Sequence, residues 1–94
     1  MIVVELKHEP NRIYVEYENG ELIAEITFPA VSDTMVNIDH TFVDASLRGQ
    51  GMANTLIQAA VADIQAKNLK ATATCPFASQ WLDVHPEIAR SLSE

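Results

Sequence analysis

The apolar pattern of this chain changes period once, at Arg48-Gly49-Gln50-Gly51, and that change fixes the order in which elements of different kind must follow. Before it, apolar residues recur at every second position, the period of strands with one buried face. After it, Met52, Leu56, Ala60 and Ile64 recur every four positions with Ala53, Ile57 and Val61 beside them, the stripe of an amphipathic helix. A strand-rich half leading into a helix predicts an α+β fold built on a mixed sheet. Ninety-four residues allow one hydrophobic core, so a single domain over 1–94 is expected. It should hold about five strands, one long helix and one or two short C-terminal helices.

Strand 2–7 is expected first, because Ile2, Val4 and Leu6 share a face. After the break His8-Glu9-Pro10-Asn11, Ile13, Val15 and Tyr17 share one face of a second strand and Arg12, Tyr14 and Glu16 the other. Asn19-Gly20 tolerates the positive φ of a tight hairpin, and Leu22, Ala24, Ile26 and Phe28 resume the alternation, so these strands should pair antiparallel. Residues 29–34 read as a loop. Residues 35–43 read as one fourth strand with Val36, Ile38, His40 and Phe42 on one face, unless a bulge turns His40 to the other. Asp39 should then point away from His40. Asn68 suits a left-handed helix cap, and 70–74 reads as the last strand, laid parallel to its predecessor by the helical crossover. Pro76 suits the first position of a second helix, which would turn Phe77, Ala78, Trp81 and Leu82 to the sheet. The pair His85-Pro86 should end it, with a short final helix from Pro86-Glu87.

A net charge of −7 opposes binding to a phosphate backbone, which needs clustered Lys and Arg, so no nucleic-acid partner is expected. An acidic surface attracts amines and basic peptides, although the same charge serves solubility and identifies no substrate. The sequence contains no stretch long and apolar enough to span a bilayer, and its N-terminus lacks the features of a signal peptide. The single cysteine, Cys75, forms no internal disulfide, which agrees with a reducing compartment; a cytoplasmic location is expected.

The turn between the fourth strand and the long helix is the motif with chemical content. Glycines let the backbone bend tightly and approach a ligand, and the first N–H groups of a helix attract anions. The same two glycines also suit a mere corner of the chain. A P-loop needs Lys and then Ser or Thr where Met52-Ala53 stands, which excludes that motif. A dinucleotide fingerprint needs Gly or Ala at Asn54 and an acidic residue near Ala71, and has neither.

Arg48-Gly49-Gln50-Gly51-Met52-Ala53 resembles the Arg/Gln-x-x-Gly-x-Gly/Ala turn of the GNAT superfamily of N-acetyltransferases. Asp39-His40-Thr41, Cys75-Pro76-Phe77 and His85-Pro86-Glu87 extend the likeness to its small stand-alone YjdJ-type branch. The resemblance implies a GNAT-like sheet whose fourth and fifth strands splay apart, with acetyl-coenzyme A in the opening. It further implies that Arg48, Gly49, Gln50, Gly51, Met52 and Ala53 bind the cofactor's diphosphate, mainly through backbone amides. The thioester would then approach His40 and Cys75. The implied activity is acetyl transfer to an unidentified primary amine, on a small molecule or a peptide. Larger members continue into a further strand pair that helps form the acceptor site. A non-catalytic module that binds or senses acyl-coenzyme A is therefore the second reading.

Two residues carry candidate chemistry. Cys75 follows the last strand and precedes Pro76, and a helix start there would favour the nucleophilic thiolate. A small buried packing residue is the equal alternative. His40 has the imidazole suited to taking a proton from an amine, or to sitting hydrogen-bonded within the sheet. Trp81 and Phe77 read as core. His8 and His85 read as turn and helix-end residues, and no close His or Cys pair suggests a metal site.

Overall fold

The computed structural model describes residues 5–47 and 49–93. Of the strand expected over 2–7, residues 2–4 lie outside the described residues, as does Arg48, and Glu5 and Leu6 are not in a strand. Strand β1 is Lys7–Glu9, which puts His8 and Glu9, read from sequence as a break, inside a strand. The break is confined to Pro10-Asn11, where Asn11 takes a φ of 65° and the chain folds straight back into β2, Arg12–Glu16. Asn11 then exchanges hydrogen bonds with Phe28, its carbonyl accepting from the Phe28 amide and its side chain donating to the Phe28 carbonyl. The Asn19-Gly20 hairpin forms as expected, with Gly20 at a φ of 87°, and leads into β3, Leu22–Thr27, antiparallel to β2.

The expected fourth strand is two strands. β4, Met35–Ile38, pairs parallel with β6, Lys70–Ala73, as the crossover requires. β5, His40–Val43, instead pairs antiparallel with β3. The chain changes partner at Asp39, where the Asp39 amide donates to the Thr27 carbonyl and Thr27 Oγ1 donates to the Asp39 carboxylate at 2.6 Å. The result is a four-stranded sheet in the order β1-β2-β3-β5 and a two-stranded sheet of β4 and β6.

Helix α1, Met52–Ala66, packs on strands of both sheets, with Leu56, Ile57, Ala60 and Ile64 fully buried in the same core as Ile13, Ile26 and Ile38. It ends as Asn68 predicts: Asn68 has a φ of 57°, its amide donates to the Gln65 carbonyl, and the Leu69 amide reaches back to Ile64. Helix α2, Pro76–Asp83, buries Ala78 and Trp81 and half-buries Phe77 and Leu82, and α3, Pro86–Ser93, adds Leu92 to the same core. Among the described residues no helix is long and apolar enough to cross a membrane.

Candidate functional site

The partner change at Asp39 opens the molecule. The Ile38 carbonyl accepts from both the Thr74 and the Cys75 amide at 3.1 Å, and these bonds are where the two strands part. Beyond them β5 follows β3, while the other strand runs on into α2. The gap opens towards the N-terminus of α1.

Strict alternation from Val36 and Ile38 would carry His40 and Phe42 to the inner face. The extra outward residue at the break reverses this. Thr41 and Val43 pair with the fully buried Ile26 and Ala24 and so face inward, while His40 pairs with Thr27 on the outer face. Asp39 and His40 are consecutive and both exposed, and both meet Thr27 on the outer face; the opposed arrangement expected from alternation does not occur. His40 Nε2 lies 3.6 Å from Glu25 Oε1, and the other oxygen of Glu25 accepts from Arg12 Nε.

A groove of about 310 Å³ runs from this gap across the start of α1. Val43, Leu47 and Phe77 form its apolar walls, and Gly49, Gly51, Met52, Ala53 and Asn54 line the remainder. Its rim is shaped locally. Asp44 accepts from the Ser46 amide and hydroxyl and from the Leu47 amide, winding residues Ala45–Leu47 into a short 3-10 turn that buries Leu47. Gly49 and Gly51 then take φ values of 83° and 74°, a region closed to most residues with a Cβ. A Cβ at either would meet no protein atom within 4 Å, so the backbone conformation and not crowding calls for glycine. Gly51 caps α1 without a side chain, leaving the first amides of the helix without intrahelical acceptors.

Four of the six turn residues named from the sequence thus line one groove. Gln50 does not: it is exposed and its side chain donates back to the Ser46 carbonyl. Cys75 is buried at the N-cap of α2, and its Sγ lies 3.5 Å from Thr41 Oγ1. Burial alone would push the Cys75 thiol up. Thr41 and the α2 amides of Ala78 and Phe77 outweigh it and bring the thiol below its ordinary value. The amides act by proximity, since none forms a capping hydrogen bond to the sulfur. Cys75 and His40 do not meet, because the strand between them presents Thr41 to one face and His40 to the other.

Sequence reasoning missed three participants. Thr41 is anonymous until the parity shift turns it inward. Phe77 was assigned to the core, yet one side of it walls the groove. Asn54 entered only as the mismatch to a dinucleotide motif. His8 Nδ1 donates to the Asp63 carboxylate at 3.0 Å, and the ring of His85 stacks on Trp81 at 3.9 Å, in keeping with structural places.

The model of the GCN5-related N-acetyl-transferase family matches residues 12–92. No curated protein matches the chain. Among solved structures it is similar to a GCN5-like protein from Staphylococcus aureus, a proposed N-acetyltransferase solved by NMR. The two are 35% identical, with a TM-score of 0.75, over 96% of this chain and 87% of that one. It also shares its fold with Ard1 from Thermoplasma volcanium, at 16% identity and a TM-score of 0.62 over 80% of this chain and 53% of that one. A GNAT family acetyltransferase from Elizabethkingia anophelis with acetyl-CoA bound gives 17% and 0.58 over 81% and 50%. The chain spans about half the length of these last two. The family match takes in every described strand from β2 onward and all three helices, and the chain belongs to the GCN5-related N-acetyltransferase family.

Proposed function

We propose that this protein takes acetyl-coenzyme A as acyl donor and transfers the acetyl group to a primary amine. One observation carries the reading: the glycine turn, the end of β5 and the start of α2 line a single groove. The residues fit such a donor. Both glycines keep the cradle clear, since any side chain there would stand in open space. The amides from Gly49 to Ala53 suit a diphosphate, with Arg48 as its charged neighbour, and the apolar walls suit the pantetheine arm. The relative that holds acetyl-CoA supports the same use of the fold.

The donor supplies an activated acetyl carbonyl. On the inner face, the Cys75 thiol donates to Thr41 Oγ1, and once the proton has left the threonine hydroxyl can donate back to the thiolate. On the outer face, where His40 is exposed beside Thr27, Asp39 and Glu25, the amine approaches from the opposite side. In direct transfer the amine nitrogen would bond to the acetyl carbon as the carbon–sulfur bond breaks, coenzyme A would leave as its thiolate, and His40, with Glu25 beside the imidazole, would take the proton the nitrogen loses. Calorimetric titration with acetyl-coenzyme A, coenzyme A and NAD side by side tests the reading. Binding of the first two and not of NAD is expected, followed by thiol release on adding an amine acceptor. Failure of both coenzyme A species to bind overturns the assignment. Binding without thiol release from any amine turns it into the second reading, a module that holds acyl-coenzyme A.

A further inference from the structure

Trp81 is the sole tryptophan, buried on α2, and its indole Nε1 lies 2.7 Å from the side-chain oxygen of Asn54. An indole N–H only donates, so the atom that meets it must be the Asn54 carbonyl oxygen, and this fixes the orientation of the amide. The Asn54 NH₂ group is left as a pure donor on an exposed residue that lines the groove, at the third position of α1. The indole is itself held: the His85 ring stacks on it, and His85 Nδ1 lies 2.7 Å from the Trp81 carbonyl, the geometry of an Nδ1–H donor. Two side chains, Trp81 of α2 and His85 of the link after it, thus fix one amide at the edge of a groove whose side-chain walls are otherwise apolar.

We infer that Asn54 is a ligand-contacting residue whose NH₂ group donates to a phosphate oxygen of the bound nucleotide, and that Trp81 is a positioning residue acting through it. The inference rests on the reading that the groove takes coenzyme A. Water serves this exposed donor in the free protein, and a ligand filling the groove displaces that water and takes its place as acceptor. At this place the acceptor lies next to the amides of the glycine turn, where an anion is favoured, which selects phosphate over a neutral carbonyl.

The test is calorimetric titration of coenzyme A into the parent protein, Asn54→Ala, Asn54→Asp, Trp81→Phe and the double variant Trp81→Phe/Asn54→Ala, with a thermal melt of each. Asn54→Ala should weaken binding about tenfold, as expected for a lost hydrogen bond to a charged group. Asn54→Asp keeps the acceptor for Trp81 but sets a carboxylate oxygen against the phosphate, and should cost about tenfold more than Asn54→Ala. Trp81→Phe should weaken binding about threefold by freeing the amide to turn. The double variant should bind no more weakly than Asn54→Ala alone, because on this inference Trp81 acts on the ligand through Asn54. A purely structural role for Trp81 would make the two losses add, and overturns that half of the inference. Equal affinities for Asn54→Asp and Asn54→Ala mean that no anion neighbours position 54, and overturn the other half. Position 54 is exposed, so its variants remain informative even if Trp81→Phe fails to fold. A parent protein that does not bind coenzyme A removes the underlying reading, whereas a parent that binds with all variants unchanged removes this inference alone.

Discussion

At Gly51 backbone strain and occupied space can be separated. Its φ of 74° places it in the left-handed region, and a Cβ there meets no protein atom within 4 Å. Gly51→Ala therefore costs only the conformational term, about 1–2 kcal/mol, offset by up to about 1 kcal/mol from the stiffer unfolded chain. A net loss of about 1 kcal/mol lowers the melting temperature of a domain this size by about 4–8 °C. Gly51→Asn tolerates the left-handed region and should lose less than half as much. Both variants put atoms into the cradle, so both should weaken coenzyme A binding about tenfold or more, and Gly51→Glu, with its negative charge, should abolish it. The measurements are thermal melts followed by circular dichroism and titration calorimetry on the same samples. An Ala variant that melts with the parent refutes the strain argument. Folded Ala and Asn variants with parental affinity refute the cradle, whatever their stability.

Three further outcomes follow from named residues. His40→Ala should lower amine acetylation about a hundredfold or more while coenzyme A affinity stays within about twofold, since a general base contributes to the reaction more than to ground-state binding; full turnover by the variant across neutral pH excludes His40 as base. Cys75 should react with iodoacetamide with a pH midpoint below the roughly 8.5 of a free thiol, and bound acetyl-coenzyme A should slow the labelling. Because its folded value is depressed, the stability that Cys75 adds relative to Cys75→Ala is fully present above the unfolded thiol's pKa and is lost as pH falls through the folded one. Denaturant melts of both proteins between neutral and alkaline pH should therefore diverge as pH rises, and parallel curves contradict the thiolate. Asn68→Ala should lower the melting temperature by about 4–8 °C through left-handed strain, whereas Asn68→Gly should match or exceed the parent.

What was legible in the sequence was what short-range chemistry decides. Asn19-Gly20, the four-residue recurrence of α1, Asn68 and Pro76 each impose a conformation on their own few neighbours, and each element formed where those residues stand. The parallel pairing of β4 with β6 followed from chain order alone. The glycine turn was legible for the same reason, since Gly49 and Gly51 announce positive φ. The break at Asp39 was not, because Val36, Ile38 and Phe42 continue a two-residue period straight through it. Its cause is a competition between partners far along the chain, with β6 bonded to one half of the segment and β3 to the other. The Thr41–Cys75 and Asn54–Trp81 contacts were hidden in the same way, joining residues 34 and 27 positions apart.

The break and the site are one event. Had β4 continued unbroken along β6, the Thr41 and Val43 backbone would have been spent in a ladder with residues after Ala73, and the gap would be closed by hydrogen bonds. Ile38 prevents this by taking both the Thr74 and the Cys75 amide on one carbonyl, which terminates the parallel ladder at full satisfaction of the donors involved. Asp39 then offers its amide and carboxylate to Thr27, so β5 joins β3 without leaving the break unpaired. The extra outward residue reverses the parity of everything that follows, and the reversal sorts the candidate chemistry onto two faces. Thr41 comes to the cysteine and Val43 to the groove wall; His40 goes to Glu25 on the open sheet. A single strand of uniform parity would have put His40 and Cys75 on the same side; in the reaction proposed above, the shifted strand leaves the inner face to the donor and the outer face to the amine.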